Sequence, residues 1–322
     1  MEEVPIEAWN ALHALGARPS PFLSSRFLLP WYRVFGQGCD FRVVRWGRRA
    51  AGADEGLLFL CRCEGTGWNF LGSEQVADYL DALVVPGGEE PFWRDLLALG
   101  MPELGGGPIR FSGLVEGSPA LAILPRLCRE MGLGCTVEVM DRAPHVSLPG
   151  SFKEYLDRLG KKERHELRRK MRRAAELLPG CSVRVTRTAE DLVADLPSFI
   201  DLHRKSHPDK GKFMDDRMAE FFREVAEGFL AAGQLRLAFL SGAGGDVASV
   251  FQFRTGCGLL LYNSGYDPIR RAANPGLVLI AKCVEDAIAE GAPEYDFLRG
   301  TERYKYDLGG VDRLVYRIVV SP

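Results

Sequence analysis

An apolar strand, a polar turn and a helix follow one another in LLLYNSGYDPIRRAANPGLVLIAKCVEDAIAEG, residues 259–291. The run at 259–261 is typical of a buried strand. The tripeptide NPG at 274–276 marks a helix start, because Asn often caps a helix and Pro suits its first turn. The order therefore predicts a strand that leads to a helix N-terminus, where free N–H groups and the helix dipole attract anions.

On both sides of this stretch the hydrophobic pattern changes repeatedly between the periods of strands and helices. Ser151, with Glu154 three residues later, predicts the capped start of a long helix that ends at Pro179-Gly180. Further strands are predicted at 182–188, 235–241, 247–254, 258–264, 295–298 and 314–320, and helices at 189–206, 214–231 and 276–290.

The first 150 residues show a similar mixture of elements. A hairpin is predicted from 41–46 and 57–63, with a Gly- and Asp-rich turn at 52–56. Further strands are predicted near 68–71, 82–85, 108–114 and 135–148, and helices or apolar-faced segments at 5–15, 27–35, 89–100 and 118–132. The fold class is therefore α/β of the mixed α+β kind, with two domains at 1–150 and 151–322.

The composition is that of an ordinary globular protein rather than of a disordered, collagen-like or membrane chain. The 322 residues are 46% hydrophobic and 26% charged, and the formal net charge is -2. This small charge gives no overall attraction to nucleic acid or anionic membrane. It averages two unlike halves, because 1–150 has no Lys and a net charge of -5, whereas 151–322 has all the Lys and a net charge of +3.

Eight cysteines are too few for a disulfide framework, and no Cys or His cluster has zinc-ligand spacing. We therefore expect reduced thiols, no metal site and a cytoplasmic location. The N-terminus lacks the order of a signal peptide, and no apolar stretch approaches the ~20 residues that span a bilayer. We accordingly expect no membrane insertion.

The stretch KKERHELRRKMRR, residues 161–173, holds eight Lys or Arg and two Glu. A basic stripe on one side of this helix is able to hold phosphates, as in nucleic-acid contacts. The same pattern is equally typical of a solvated face on which Glu166 pairs with Lys170. The stripe consists of Lys161, Arg164, Arg168 and Arg172.

Two further stretches carry candidate functional side chains. Arg270 and Arg271 precede the helix start at 274–276 and add positive charge for a phosphate or pyrophosphate. In EYDFLRGTERYKYDLGG, residues 294–310, Asp296 lies on a strand among apolar residues. A buried carboxylate must be paired, or its pKa rises. The candidate partners are Arg299 and Lys305, and a purely structural ion pair explains the same residues.

Other motifs give little support to competing enzyme classes. His203 and His207 are four residues apart on a predicted helix, but no HExxH motif or neighbouring carboxylate completes a metal site. We interpret them as surface, core or substrate-pocket histidines. The chain lacks a GxSxG elbow, a GxxxxGK[ST] loop and a GxGxxG turn, so the serine hydrolase, P-loop and Rossmann classes lose support.

Taken in order, several stretches resemble the GNAT-superfamily acetyltransferases of the CelD-like (cellulose biosynthesis) type, which are related to the FemAB aminoacyltransferases. The resemblance runs along most of the chain, and its last two stretches weigh most. The stretches are PFLSSRFLLPWYRVFG (21–36), SEQVADYLDALVVPG (73–87), SLPGSFKEYLDRLGKKERHELRRKMRRAAEL (147–177), GQLRLAFL (233–240), VASVFQFRTGCGLLLYNSGYDP (247–268), NPGLVLIAKCVEDAIAEG (274–291) and YDFLRGTERYKYDLGG (295–310).

The resemblance implies two tandem GNAT-like domains, each a mixed, mostly antiparallel sheet flanked by helices. It implies that the first domain is degenerate and shapes the acceptor groove, while the second keeps the acyl-donor cleft. Acyl-CoA would pair with a splayed strand at 258–264, and its pyrophosphate would meet the helix start at 274–276. The Q/R-x-x-G-x-G/A loop of simple GNAT enzymes is absent, since ANPGLVL offers only Gly276.

Acyl transfer to an amine needs a base, donors for the tetrahedral oxyanion and an acid for the leaving thiolate. For these catalytic roles we propose Asp296 as base or orienter, Lys305 as charge stabiliser, and Tyr262, Tyr266 and Tyr304 as acids or oxyanion donors. The remaining candidates are Asn263, Tyr266, Arg270, Arg271, Asn274 and Gly276 for the donor, and Arg168, Arg172, His203 and Arg299 for the substrate.

Three functions follow from these candidates. The first is transfer of an acyl group, chiefly acetyl, from acyl-CoA to a small-molecule or saccharide amine, such as an amino sugar in envelope or exopolysaccharide synthesis. The second is a FemAB-like aminoacyltransferase whose donor is aminoacyl-tRNA, with the helix at 161–173 as tRNA contact. The third is a non-catalytic binding protein with a degenerate GNAT fold.

Overall fold

The computed structural model describes residues 4–16, 18–48, 54–72 and 76–322. It divides into two compact units, 1–142 with 313–322, and 143–312. Part of the predicted turn at 52–56 and the start of the stretch 73–87 lie outside the described residues. The domains at 1–150 and 151–322 stay a prediction. Residues 313–322 belong to the first unit because 315–320 pair with 109–115.

The first unit begins with two helices and a hairpin, as the sequence predicts. A π-helical turn, Leu96–Gly100, joins two of its short helices. Its elements are α1 (Ile6–Ala14), α2 (Ser25–Phe35), β1 (Cys39–Arg48), β2 (Asp54–Cys63), β3 (Trp68–Phe70), β4 (Leu83–Val84), α3 (Glu89–Asp95), α4 (Met101–Glu103), β5 (Ile109–Val115), α5 (Ala120–Met131) and β6 (Gly134–Ser147), whose last five residues belong to the second unit.

The second unit adds seven helices and six strands to the described part of the chain. A 3₁₀ helix, Pro268–Ala273, joins its central strand to its central helix. The elements are α6 (Phe152–Arg158), α7 (Lys161–Leu177), β7 (Ser182–Val185), α8 (Ala189–Ser206), α9 (Pro208–Phe213), α10 (Asp216–Ala231), β8 (Leu235–Gly242), β9 (Gly245–Thr255), β10 (Gly258–Tyr266), α11 (Pro275–Ala289), β11 (Glu294–Asp296), α12 (Arg303–Asp307) and β12 (Val311–Ser321), which ends in the first unit.

The sheet of the first unit has the strand order β1-β2-β3-β5-β12-β6, and β4 pairs with β2. β1, β2 and β3 form an antiparallel meander, while β3 and β5 run parallel. The pairing of 315–320 on β12 with 109–115 on β5 returns the end of the chain to this unit. Its core includes Trp9, whose indole N–H donates to the Leu23 carbonyl over 2.9 Å.

The expectation that all thiols are reduced is wrong at one pair, because Cys39 and Cys63 form a disulfide. The two residues are register partners across the β1–β2 hairpin, with Cα atoms 4.1 Å apart. Antiparallel pairing brings their side chains together on one face of the sheet. The sequence separation of 24 did not predict the disulfide, because the register of the two strands is known only from the folded hairpin.

The sheet of the second unit has the order β6-β11-β10-β9-β8-β7. Only β10 and β11 run parallel, and the remaining pairs described are antiparallel. Alternate residues face opposite layers of helices. One face packs against α11, α7 and α6 through Ala248, Val250 and Leu261, and the other packs against α8 and α10 through Phe251 and Phe253.

The single long helix predicted from Ser151 is two helices. Ser151 caps the first as expected, and its Oγ accepts from the Glu154 N–H over 3.2 Å. The chain turns extended at Leu159, whose ψ is 148°, and α7 begins after Gly160. On α7, Glu166 pairs with Arg169 at 2.8 Å rather than with Lys170.

A network of charged side chains fixes α8 to the edge of the second sheet. Arg184 on β7 contacts Asp195 on α8 and Asp246 on β9, with N···O distances of 2.6 Å in both cases. Thr186 also donates to Asp195 over 2.6 Å. These bonds compensate two largely buried carboxylates, and they hold α8 in a defined register along the sheet.

α8 crosses β10 in direct backbone contact at Gly265. A Cβ atom at this position would lie 2.4 Å from the backbone nitrogen of His203, a distance that real Cβ atoms do not show. Glycine is therefore required by close approach of the two main chains. The contact sets the position of the last turn of α8 relative to β10.

We predict that Gly265→Ala lowers the free energy of unfolding by about 2–3 kcal/mol, because α8 must move to admit the methyl group. Gly244→Ala is the matched control, since nothing lies within 4 Å of a Cβ there. Chemical denaturation of both variants measures the difference. Equal stability of Gly265→Ala and the parent protein would contradict the close contact.

Candidate active site

The parallel strands β10 and β11 part after two register pairs. Leu259 pairs with Tyr295 and Leu260 with Asp296, and there β11 ends. β10 continues to Tyr266 alongside β9. From Leu261 onward, β10 therefore has β9 on one side and no paired strand on the other. The sequence predicted a strand to Leu298, which is wrong by two residues.

A β-bulge on β10 lies where the strands part. The register moves from Leu261 opposite Gln252 to Asn263 opposite Phe251, so Tyr262 is the extra residue. The Tyr262 ring stacks on Phe222 of α10, with ring centroids 5.3 Å apart. Asn263 also faces these helices, so two successive residues point to the same face, which a regular strand does not allow.

α8 and α9 place two basic side chains against the free part of β10. His203 is buried, and its Nε2 lies 2.9 Å from Oδ1 of Asn263, which assigns the proton to Nε2. Its Nδ1 has no hydrogen-bond partner. Burial and Lys210 lower the pKa of His203 to about 4, and the bond to Asn263 opposes this, so the imidazole is neutral at pH 7.

Lys210 on α9 donates from Nζ to the Ser264 carbonyl over 2.6 Å. Ser264 lies in the part of β10 beyond Leu260, which pairs with β9 on one side and with no strand of the second sheet on the other. Burial, together with the charge of Lys305, lowers the pKa of Lys210, and Glu302 raises it. The ammonium keeps hydrogen-bonding capacity, because an amine of this type has three N–H donors.

The parting of β10 and β11 leaves a gap between them, which we call the opening. β10 forms one border of the opening, and the loop that follows β11 forms the other. Leu298 has a φ of 58°, a left-handed conformation that turns the chain away from β10. The Asp296 carboxylate accepts from the Leu298 N–H over 2.8 Å. Lys305 is not the partner of Asp296: its buried Nζ donates to the carbonyls of Leu298, Arg299 and Gly300 at 3.1, 2.6 and 3.2 Å.

Two more ionisable groups belong to this loop. Glu302 contacts the Lys305 ammonium at 3.0 Å. Tyr304 packs edge-on to Phe297, with ring centroids 6.4 Å apart, and burial raises the pKa of its hydroxyl well above the ordinary value. That hydroxyl makes no hydrogen bond to a described residue. A protonated, unengaged phenol suits proton donation better than proton removal.

The two sides of the opening act on each other electrostatically, because Lys210 from α9 senses Glu302 and Lys305 from the loop. Asp296, Tyr304, Lys305, Asn263 and His203 are thus brought to the two borders of one opening. Lys210 and Glu302 join them, although the sequence did not single them out. Glu302 lies in the stretch 294–310, where only its neighbours were chosen as candidates, and α9, which carries Lys210, was not predicted.

The helix start at 274–276 has the expected free amides. Asn274 is the N-cap residue by position, with a φ of 50°, but its side chain makes no capping bond. Val278 donates to the Asn274 carbonyl over 3.1 Å, which leaves the N–H groups of Gly276 and Leu277 without a backbone acceptor. A Cβ at Gly276 would lie 3.6 Å from the Tyr266 ring.

A cavity beside this helix start has both basic and acidic side chains in its wall. It has a volume of about 240 Å³ and lies between α7, α12 and Leu277, lined by Lys162, Lys170 and Arg303 together with Glu163, Glu166 and Asp307. Arg168 and Arg172 do not line this cavity and are exposed on α7. Arg270 and Arg271 are exposed on the 3₁₀ helix, against which α7 packs.

Within the described residues, no three His, Cys, Asp or Glu side chains are grouped to hold a metal ion. His207 is exposed at the start of α9, where its Nδ1 accepts from the Asp209 N–H over 3.2 Å. None of the helices in the described ranges is long and apolar enough to cross a membrane.

Comparisons with known proteins agree with this architecture. A family model described as "Acetyltransferase (GNAT) domain" matches residues 161–306, which include α8, β10, α11 and Lys305. No curated protein sequence matches the chain.

The fold is GNAT-like.

Solved structures extend the likeness to both units. FemX has a TM-score of 0.70 and 11% identity over 98% of this chain and 96% of its own. The C-terminal domain of a putative lysylphosphatidylglycerol synthetase from Agrobacterium fabrum has a TM-score of 0.60 and 13% identity over 98% and 91%. A tandem GNAT protein from the clavulanic acid pathway has 0.50 and 15% over 97% and 94%.

These likenesses confirm the predicted fold class, mixed α/β with tandem GNAT-like units. The order of elements supports it: each unit has an antiparallel run of strands, β1-β2-β3 and β7-β8-β9-β10, whose last strand pairs in parallel with a further strand, β5 and β11 respectively. The second unit has a GNAT acyltransferase fold. The CelD-like type stays a prediction, as do the roles of the individual site residues.

We predict that His203 makes the protein sensitive to mild acid. Its pKa in the folded protein, about 4, lies below the ordinary 6.5, so unfolding takes up a proton between these values. The contribution of His203 to stability is fully present above pH 6.5, and up to roughly 3 kcal/mol of it is lost as the pH falls towards 4.

His203→Gln keeps a donor to Asn263 without the titrating ring, so it should flatten this pH dependence. His165→Gln, at an exposed site on α7, is the control and should leave it unchanged. Denaturation curves between pH 4 and 7.5 provide the measurement. An unaltered profile in His203→Gln would assign the acid sensitivity to other groups.

Proposed function

We propose that the second unit transfers an acyl group, chiefly acetyl, from acyl-CoA to the amine of a polar acceptor such as an amino sugar. The observation that carries this proposal is the parting of β10 and β11, with an unpaired strand on one border and Asp296, Tyr304 and Lys305 on the other. The GNAT-like fold of residues 161–306 supports it.

The bond changes assign complementary tasks to these side chains. The amine nitrogen attacks the thioester carbonyl carbon, a C–N bond forms and the C–S bond breaks. The proton that the amine loses passes to Asp296, and Tyr304 supplies a proton to the departing thiolate. Lys210 keeps N–H donors for the negative oxygen of the tetrahedral intermediate, while Lys305 holds the loop that carries Asp296 and Tyr304 in position.

The donor phosphates would lie at the start of α11. The amides of Gly276 and Leu277 supply uncapped donors, and Arg270 and Arg271 add charge from the preceding helix. Arg299 and the exposed face of α7 with Arg168 and Arg172 remain candidates for the acceptor. His203 is too deeply buried to touch a substrate freely, so its proposed task is to orient Asn263.

A FemAB-like reaction is the second candidate, and the TM-score of 0.70 to FemX favours it. In that case an aminoacyl ester of tRNA replaces the thioester, and the basic face of α7 contacts the nucleic acid. Arg168 and Arg172 are exposed and have no hydrogen-bond or ion-pair partner among the described residues, so they are free to bind phosphates. The bond changes at the amine are the same in both reactions.

We expect acetyl-CoA to raise the melting temperature and to yield free CoA thiol in the presence of an amine acceptor, tested on a panel that includes glucosamine. Stabilisation by tRNA, with an affinity that falls steeply with salt, would support the second candidate instead. A response to neither donor would leave a non-catalytic binding protein.

With an active acceptor in hand, Asp296→Asn and Lys305→Met should each lower kcat/KM by about 100-fold or more. Lys212→Met removes an exposed lysine and should change it less than twofold. Circular dichroism and melting temperature check that each variant folds. Normal turnover by folded Asp296→Asn and Lys305→Met would overturn the roles given to these residues.

A further inference from the structure

A second cavity lies in the first unit, and every residue that lines it belongs to that unit. It has a volume of about 490 Å³, within the range of small-molecule sites. α1, the segment 79–86 and the turn after β5 enclose it. Most of its wall is apolar, with buried side chains such as Leu12, Leu83 and Trp93.

Three carboxylates interrupt this apolar wall, those of Asp81, Glu89 and Glu116. Asp81 accepts a hydrogen bond from the Ser118 hydroxyl over 2.5 Å at Oδ2, and from the Ala82 N–H over 2.8 Å at Oδ1. No Lys, Arg or His among the described residues binds it. A carboxylate has about four lone-pair positions, so about two remain for a ligand.

The other charged or titratable groups in the wall do not neutralise Asp81. His13 on α1 lies with Nε2 2.7 Å from the Ser20 carbonyl, and burial lowers its pKa, so it is neutral at pH 8. Glu89 on α3 accepts from the Gly87 N–H, and Glu116 after β5 accepts from the Leu314 N–H. Arg18 also lines the cavity, and it is not among the groups that shift the pKa of Asp81.

We propose that this cavity binds a primary amine with an apolar body, whose ammonium group pairs with Asp81. An ionised carboxylate in a largely apolar site is costly unless a cation compensates it, and an ammonium supplies both charge and donors. The apolar wall would bury the rest of the ligand. A metal ion fits poorly, because the described residues offer no group of three ligands.

The titration of Asp81 adds a dependence on pH. Burial raises the pKa of its carboxyl to about 6, Glu89 raises it further, and the bonds from Ser118 and Ala82 oppose the rise. The carboxylate is therefore charged at pH 8 and largely protonated at pH 5. An amine remains protonated at both values, so the pairing should weaken in acid.

The test compares 2-phenylethylamine with 2-phenylethanol, a neutral molecule of similar size, by titration calorimetry on the full chain. We expect the amine to bind at pH 8 and to bind about tenfold more weakly at pH 5, as the ionised fraction of Asp81 falls. The alcohol should bind weakly, with no dependence on pH. Equal binding of the two molecules, or an amine affinity that does not change with pH, would overturn the proposal.

Asp81→Asn keeps the shape and a hydrogen-bond acceptor but removes the charge, so it should abolish the preference for the amine. Glu64→Gln is the control, since it removes an exposed carboxylate that does not line the cavity, and it should keep the preference. If Asp81→Asn does not fold, the pH series on the parent protein decides. No heat signal from a series of amines from butylamine to 4-phenylbutylamine at 10 mM would show that water alone solvates Asp81, and would refute the site.

Discussion

The bonds of one buried ammonium to three successive carbonyls shape the candidate active site. Lys305 holds the carbonyls of residues 298–300, while the Asp296 carboxylate holds the Leu298 N–H. Together they stabilise the left-handed conformation of Leu298, just after β11. This conformation is unfavourable for a residue with a side chain such as leucine. Without this turn, β11 would be able to extend along β10 and close the opening.

The opposite border is built by packing rather than by charge. Gly265 lets the main chain of α8 touch β10, and this contact delivers His203 to Asn263. α9 follows directly and delivers Lys210 to the Ser264 carbonyl, which a further strand would otherwise occupy. Side chains of α8 and α9 thus form hydrogen bonds with Asn263 and with the Ser264 carbonyl, where β10 has no paired strand on one side. Buried backbone polar groups generally require such partners.

Sequence reasoning recovered the order of strands and helices because apolar periodicity records which face is buried. It located Asp296, Lys305 and the free amides at 274–276, since their residue types are unusual in such surroundings. It could not find the disulfide, the break at Leu159 or the contact between Lys210 and the Ser264 carbonyl. Each of these depends on register or on distances between elements, which a linear pattern does not contain.

The bulge at Tyr262 makes the length of β10 as important as its composition. The extra residue shifts the alternation by one position, so Asn263 and Gly265 face α8 while Tyr266 faces α11. Loss of a single codon here would restore an even alternation and exchange the faces of all residues beyond it. A relative with the same site should therefore tolerate many substitutions in this strand, but neither an insertion nor a deletion.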